Sequence, residues 1–370
     1  MAIAYGEGEW RSCIGERLRR DGDRDSRPSA ARPQIVIPAP AERAAPVHEP
    51  SVAVIVINYN SGDMLLRCLR NLELQTWRSF KVIVVDNASS DDSMLRAERA
   101  YPWIEAVQLE SNVGFAKGNN IGVSLASDCR WIACLNPDAY AQPDWLANLM
   151  RAAQAYPEFT FFGSKLILAD TPDRLDGTGD IYHVTGAAWR RDHGRKLVRG
   201  HHDAEEIFAP CAAASLYRRD VFDEVGGFDS DYFCYFEDVD LAFRMRLRGY
   251  RCYYVPSAIV YHVSSAITGY QSPFTVYHGH RNLVWTFVKD MPFPLLLIYL
   301  IPHLILNLVS IVLYVFKGQP VAIFKSKWHA ILGLRTAWRK RQQVQLRRTA
   351  SSYALLRLME RNLFKLYLRR

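Results

Sequence analysis

The stretch CYFEDVDLAFRMRLRGYRC, residues 234–252, brings Glu237, Asp238 and Asp240 together within four positions at the head of a helix-like run. Val239, Ala242 and Phe243 share one face of that helix, and Gly249 marks its end. Acids in a first turn complement the helix dipole and satisfy its free N–H groups, so a cap is one reading. Three carboxylates behind the aromatic run FCYF exceed what a cap requires, and a carboxylate at a helix tip can also take the proton of an attacking hydroxyl. Residue types alone leave both roles open.

Other polar clusters end apolar runs. Asn58-Tyr59-Asn60, Asp86-Asn87 and Asn136-Pro137-Asp138 each close a strand-like segment, and SNVGFAKGNNIG sets Gly114, Gly118 and Gly122 among asparagines. The uninterrupted Val/Ile runs of SVAVIVINYN and KVIVVDNASS suit strands buried on both faces of a parallel sheet. Between them, SGDMLLRCLRNLELQTW has helical spacing at Leu65, Leu66, Leu69 and Leu72, opened by Ser61 or Asp63. Strand, helix and strand make a βαβ unit, WIACLNPDAY supplies a later strand, and residues 51 to about 265 read as one Rossmann-like α/β domain. Ligands of such sheets gather at the carboxyl ends of the strands, where these clusters lie. Asn, Asp and Ser are also ordinary turn formers. The glycines would permit close backbone approach to a phosphate or ribose, yet they form neither G-x-G-x-x-G nor a Walker loop, which disfavours nicotinamide and ATP-hydrolysing enzymes.

The chain has 370 residues, 49% of them hydrophobic, enough for one large domain with extensions. Its seven cysteines, including Cys13, are scattered without metal spacing, as in a reduced cytoplasmic protein. Residues 1–50, rich in Arg, Ala, Pro and Gly, read as a disordered extension with no apolar run fit for export. The formal net charge of +8 sits in the tail: residues 317–370 hold 14 Lys/Arg and one acid, Glu360. Before them, residues 291–316 carry no charge, which is long enough to cross a bilayer. Pro302, His303 and Asn307 interrupt that segment, and a crossing would part the basic tail from the domain. A hairpin bent near Pro302, or helices lying in the membrane interface, is therefore expected, against a buried helical hairpin packed on the domain.

VIVINYNSGDML, VVDNASSDDS, SNVGFAKGNNIG, LNPDA and GGFDSDYFCYFEDVDLAFRMRLRGY occur in the order and spacing of family 2 glycosyltransferases with the GT-A fold. Over residues 52–290 the chain most resembles their bacterial, rhamnosyltransferase-like branch. The resemblance implies an inverting enzyme that uses a nucleotide-diphosphate sugar, a divalent metal (Mg²⁺ or Mn²⁺) and a glycan or lipid-linked acceptor, working at the cytoplasmic face of the bacterial inner membrane. It assigns Asn58, Asn60, Asp86, Asn112, Gly114, Asn119, Asn120 and Asn136 to the donor. Asp138 and His262 fall to the metal, Asp138 standing in a D-x-D motif whose first place is Asn136. Asp238 is the implied base, Glu237 the residue that orients the acceptor, and Asp240 a servant of the helix. The implied organisation is an extension (1–50), a GT-A domain (51–290), a hydrophobic membrane-associated segment (291–316) and a basic helical tail (317–370). Two other readings compete: an inactive scaffold subunit of a membrane glycan-assembly complex, which Asn136 favours, and a nucleic-acid-binding tail. The expected partners are donor, acceptor and membrane surface, without nucleic acid.

Overall fold

The computed structural model describes residues 51–198, 203–264, 269 and 271–366. The expected extension and Cys13 lie outside them. Strand β1 (Val52–Asn58), helix α1 (Asp63–Glu73) and strand β2 (Phe80–Asp86) form the βαβ unit, the strands parallel with Asn58 opposite Asp86. Helix α2 (Ser93–Ala100), strand β3 (Glu105–Gln108), helix α3 (Gly114–Ser124) and strand β4 (Trp131–Leu135) follow. Then come β5 (Ala139–Ala141), α4 (Trp145–Ala155), β6 (Phe161–Leu168) and the three-residue strands β7 (Leu175–Gly177), β8 (Asp180–Tyr182) and β9 (Ala188–Arg190). The domain closes with β10 (Glu206–Ile207), β11 (Ala214–Arg218), α5 (Arg219–Glu224), α6 (Glu237–Leu247) and β12 (Cys252–His262).

The main sheet runs β10-β12-β6-β11-β4-β1-β2-β3, with β5 added to β12 and β7 to β6. Its order reverses beside β1, because β2 and β3 extend one way and β4 the other, so the carboxyl ends of β1, β2 and β4 open onto one crevice. Alternation along β1 sends Val52, Val54 and Val56 into the core under α1 and α4, and Ala53, Ile55 and Ile57 into the core under α3 and α6. Both faces are covered, which is why the run is apolar without alternation.

Two local expectations change. Helix α1 starts at Asp63 behind Gly62 with no side-chain cap, and Gly62 N–H instead donates to Asp91 at 2.9 Å. Gly118 and Gly122 lie inside α3 and face the sheet: a Cβ on Gly122 would stand 2.6 Å from Ile55 Cγ2. The missing side chain of Gly122 lets the helix sit close on β1, so these two glycines turn to the sheet and not to a ligand.

The remaining helices are α7 (Pro273–Asp290), α8 (Phe293–Phe316), α9 (Pro320–Leu346) and α10 (Ser352–Leu358). Helix α8 is continuous through Pro302, and the chain reverses at 317–319, so the bend expected at that proline is absent.

Candidate active site

At the β1 and β2 ends, Asn58 is fully buried and its Nδ2 donates to Asp86 Oδ1 (2.6 Å), Ser93 (2.9 Å) and Ser89 (3.2 Å). Asp86 also accepts from the Ser89 hydroxyl (2.6 Å) and N–H (3.1 Å). Asn58 thus aims the Asp86 carboxylate from beneath and has no surface of its own to offer a ligand. Asn60 Oδ1 accepts from Ser90 N–H (2.7 Å) and fixes the loop that walls the crevice.

The asparagine-rich segment divides by role. Asn112 Oδ1 receives Gly114 N–H at 2.9 Å, and Gly114, at φ +83°, abuts Phe233, where a Cβ would come within 2.6 Å. Asn119 is buried, donating to Phe115 O. Asn120 accepts from Phe228 N–H (2.9 Å) and donates to Phe228 O (2.7 Å). Gly114 and Asn120 therefore join α3 to the segment 228–233, while the Asn119 bond stays within α3.

After β4, Asn136 N–H bonds Ala213 O, and the turn delivers Asp138, which is buried, to the end of β12. There His262 Nε2 lies 3.3 Å from Asp138 Oδ1, while its Nδ1 bonds Asp176 Oδ2 at 2.7 Å. Arg190 and His193 also contact Asp176, and with His262 they hold its carboxyl below the usual range despite burial. Burial works against a protonated His262, but Asp138 and Asp176 on either side outweigh it and raise the imidazole to about 9. The pair suits a cation. With Nδ1–H pinned by the Asp176 carboxylate, a neutral His262 would present its Nε2 lone pair, the usual support of a metal-bound histidine, so a cation there would take the place of the proton that the flanking carboxylates otherwise retain. Ligands on adjacent corners of an octahedron with ~2.1 Å bonds stand about 3 Å apart, close to the observed separation.

Helix α6 answers the first question of the sequence. Asp238 Oδ1 accepts Val239 N–H (2.8 Å) and Oδ2 accepts Ala212 N–H (3.1 Å), so its orientation is fixed from two elements. Burial raises its pKa, countered by those N–H groups and by Arg190. Asp180 and Cys211 lie beside it, with the ligand atoms of the three within 4.8 Å of one another. Burial and the Asp238 charge push Asp180 up to about 7. The Cys211 thiol, pushed up strongly by burial, is a poor ligand for a hard ion, so Asp138 and His262 are the better metal pair. Glu237 is buried, Oε2 has no hydrogen-bond partner, and burial followed by the Asp238 charge raises it well above an ordinary carboxyl. Asp240 departs from its expected service to the helix dipole: it pairs with Arg244 at 2.7 Å and with Lys289 of α7, all three buried.

The loop before α6 is strained. Phe233, Tyr235 and Phe236 have φ of 64°, 68° and 69°. Asn282 of α7 reaches across with Nδ2 to the carbonyls of Tyr232 (3.0 Å), Cys234 (2.9 Å) and Tyr235 (2.7 Å), and Arg281 donates to those of Tyr232 and Asp231.

Asp176, Asp180, Arg190, Arg281 and Asn282 escaped sequence reasoning. The one signal was the density of charge and glycine in LDGTGDIYHVTGAAWRR, residues 175–191. Among the described residues all six cysteines are unpaired.

Residues 53–226 match the family model "Glycosyl transferase family 2". An N-acetylglucosaminyl-diphospho-decaprenol L-rhamnosyltransferase of Mycobacterium tuberculosis is 29% identical over 64% of this chain and 83% of its own length. Rhamnosyltransferase WbbL of Escherichia coli is 27% identical over 56% of this chain and 81% of its own. Among solved structures, GalNAc-T7 with UDP, GalNAc and Mn²⁺ superposes with a TM-score of 0.54 at 14% identity, covering 66% of this chain and 48% of that one, a likeness of fold. Residues 53–226 are thus a family 2 glycosyltransferase domain, in a chain of GT-A fold that is rhamnosyltransferase-like in sequence.

Proposed function

We propose that this glycosyltransferase moves a sugar, rhamnose by analogy with its relatives, from a nucleoside-diphosphate donor to a hydroxyl of a lipid-linked glycan, inverting the anomeric centre. The carrying observation is Asp238: a carboxylate at a helix tip, raised in pKa by burial and held in place by the Ala212 and Val239 N–H groups. Its raised pKa makes it a better proton acceptor while the two N–H groups keep it ionised. Asp238 takes the acceptor O–H proton, the freed oxygen bonds to the anomeric carbon, and the bond from that carbon to the donor's phosphate oxygen breaks, its electrons leaving with the nucleoside diphosphate. One displacement inverts the centre.

Asp86, aimed by Asn58, holds the nucleoside, and Asn136 and Asn112 lie along the donor's path. Asp138 and His262 would hold a divalent ion, Mg²⁺ or Mn²⁺, with Asp176 as the support of the histidine. When bound, it supplies positive charge for the departing diphosphate. Glu237 and the 232–236 loop shape the acceptor side. The acceptor follows the Mycobacterium relative, which is named for N-acetylglucosaminyl-diphospho-decaprenol; such a carrier resides in a membrane, and the exposed apolar side chains of α8 and α9 attach the enzyme to that membrane. The placement of Asp238 and of the Asp138–His262 pair argues against an inactive scaffold.

The test is release of nucleoside diphosphate from a panel of nucleotide sugars by the wild type and by Asp238→Asn. The amide keeps the shape and one acceptor, so fold and donor affinity should survive while turnover falls about 10²–10⁴-fold. Turnover within threefold of wild type would remove Asp238 from the role.

A further inference from the structure

Most of the exposed large apolar side chains of the described residues lie on α8 and α9. On α8 they include Ile298, Ile301, Leu304, Ile305, Leu308 and Val312. A surface of this kind marks a lipid or protein contact. Crossing a bilayer and lying in its surface make different demands on the rest of the chain, and α8 meets only one of them.

The opposite face of α8 meets the catalytic domain near its start and α7 and α9 farther along. Leu295 and Leu296 belong to the core with Tyr182 and Phe287. His303 Nδ1 bonds Thr185 O at 2.8 Å and its ring stacks on Phe287 at 3.9 Å. Asn307 Oδ1 accepts from Lys327 of α9 at 2.6 Å, and Tyr314 meets His280 of α7. Beyond the last turn, Lys317 and Gln319 bond the side chain and carbonyl of Gln271, just before α7. These contacts run α8 antiparallel to α7. At ~1.5 Å per residue, a crossing would draw α7 in beside it, with Arg281, Asn282 and the buried Lys289–Asp240 pair that hold the catalytic loop.

Helix α9 shows what lies outside. Its exposed stripe Val321, Phe324, Trp328, Ile331 and Leu332 continues at the same spacing into Arg335, Trp338 and Arg339. Apolar residues, tryptophans and cations on one helix face form the pattern of a helix seated at a lipid surface, and the cations select anionic headgroups. A second copy of this chain, whose C-terminal segment is equally basic, would meet it with like charge.

We propose that α8 and α9 lie side by side in the plane of an anionic lipid surface, immersed by their outer faces, and that α8 does not cross it. The proposal rests on the membrane attachment stated above and fixes its geometry. The catalytic loop, tied to α7, is thereby held at a set height over the lipid, where the hydroxyl of a lipid-borne acceptor would be offered.

The test places a nitroxide on the full chain through Ile298→Cys, Ile305→Cys and Val312→Cys, seven residues apart on one exposed face, and reads depth in vesicles of phosphatidylcholine with and without phosphatidylglycerol. The expected result is binding strengthened by phosphatidylglycerol, with all three labels at one shallow depth. Ile301→Glu with Leu308→Glu, both exposed, should weaken partitioning roughly a hundredfold, about tenfold per immersed acid, and leave turnover on a soluble acceptor unchanged. Label 305 lying about 10 Å deeper than 298 and 312 would mean a crossing helix and overturn the in-plane geometry while keeping membrane attachment. Failure to bind either vesicle, or labels immobilised without lipid in a dimer, would overturn the attachment itself.

Discussion

Asn282→Ala should fold, bind donor normally and turn over about a hundredfold more slowly. Three non-glycine residues in four positions, Phe233, Tyr235 and Phe236, hold positive φ directly before Glu237. Each costs on the order of 1 kcal/mol or more, roughly 3 kcal/mol together. The Asn282 amide has two hydrogens shared among three carbonyls at 2.7–3.0 Å, and two net hydrogen bonds contribute about 1–3 kcal/mol. The two quantities are comparable, so the loop keeps its strained form because the clamp is present. Without it the loop relaxes, and Asp238 stands two residues from its end. A displacement of ~1 Å at a reacting group costs about 10² in rate. Donor KM should hold, since Asp86 and Asp138 belong to β2 and the β4–β5 turn. The assay is kcat and donor KM beside thermal unfolding, with Asn282→Asp as a second variant: it fills the same volume but cannot donate. A lowered Tm with kcat within threefold of wild type in both variants would refute the argument and leave Asn282 a packing residue.

Other outcomes follow from the same geometry. Asp138→Ala should abolish stimulation by Mn²⁺ or Mg²⁺, and His262→Ala should weaken it less, because the carboxylate is the stronger ligand for a hard ion; titration of activity against metal after chelation checks both. Asp86→Ala should raise donor KM with little change in kcat, since a nucleoside contact remote from the breaking bond is mainly uniform binding, and calorimetry with the nucleoside diphosphate would show the loss. Burial pulls Lys327, between α7 and α8, down to about 7. The unfolded chain then binds more protons between about pH 7 and the ordinary lysine value, so stability rises with pH across that window and is lowest below it. Lys327→Met should raise Tm at pH 7 and flatten that rise.

Much of the scaffold was legible because burial on both faces writes itself into sequence. The runs Val52–Ile57 and Val82–Val85 are apolar without alternation, and the polar residues that stop them are the ones the parallel sheet gathers at its crevice. Composition could not say what a glycine or asparagine there is for. Gly122 and a phosphate-binding glycine look alike in sequence, since each is chosen for a missing Cβ, and only Ile55 beneath it decides. The bend assigned to Pro302 failed for a related reason: within α8 the proline lacks one N–H, and tertiary contacts on either side, at Leu296 and His303, hold the helix through it.

The less legible half of the site consists of residues whose meaning lies in a distant partner. Asp176 stands on a three-residue strand with no period to read, yet β7 pairs with β6 and β6 with β12, which brings it to His262, 86 residues on. Asp240 looked like an acid for a helix dipole until Lys289 of α7 closed on it. A buried pair of this kind is costly to break by removing one partner, about 3–5 kcal/mol, far more than a dipole contact contributes. That pair, with Arg281 and Asn282, ties α7 to the loop that leads into Glu237 and Asp238, although α7 lies beyond the residues that the family model matches. The acids proposed for the chemistry can be found from the strand and helix ends, whereas the groups that set their protonation and position come from elements that acquire a role only once the chain has folded.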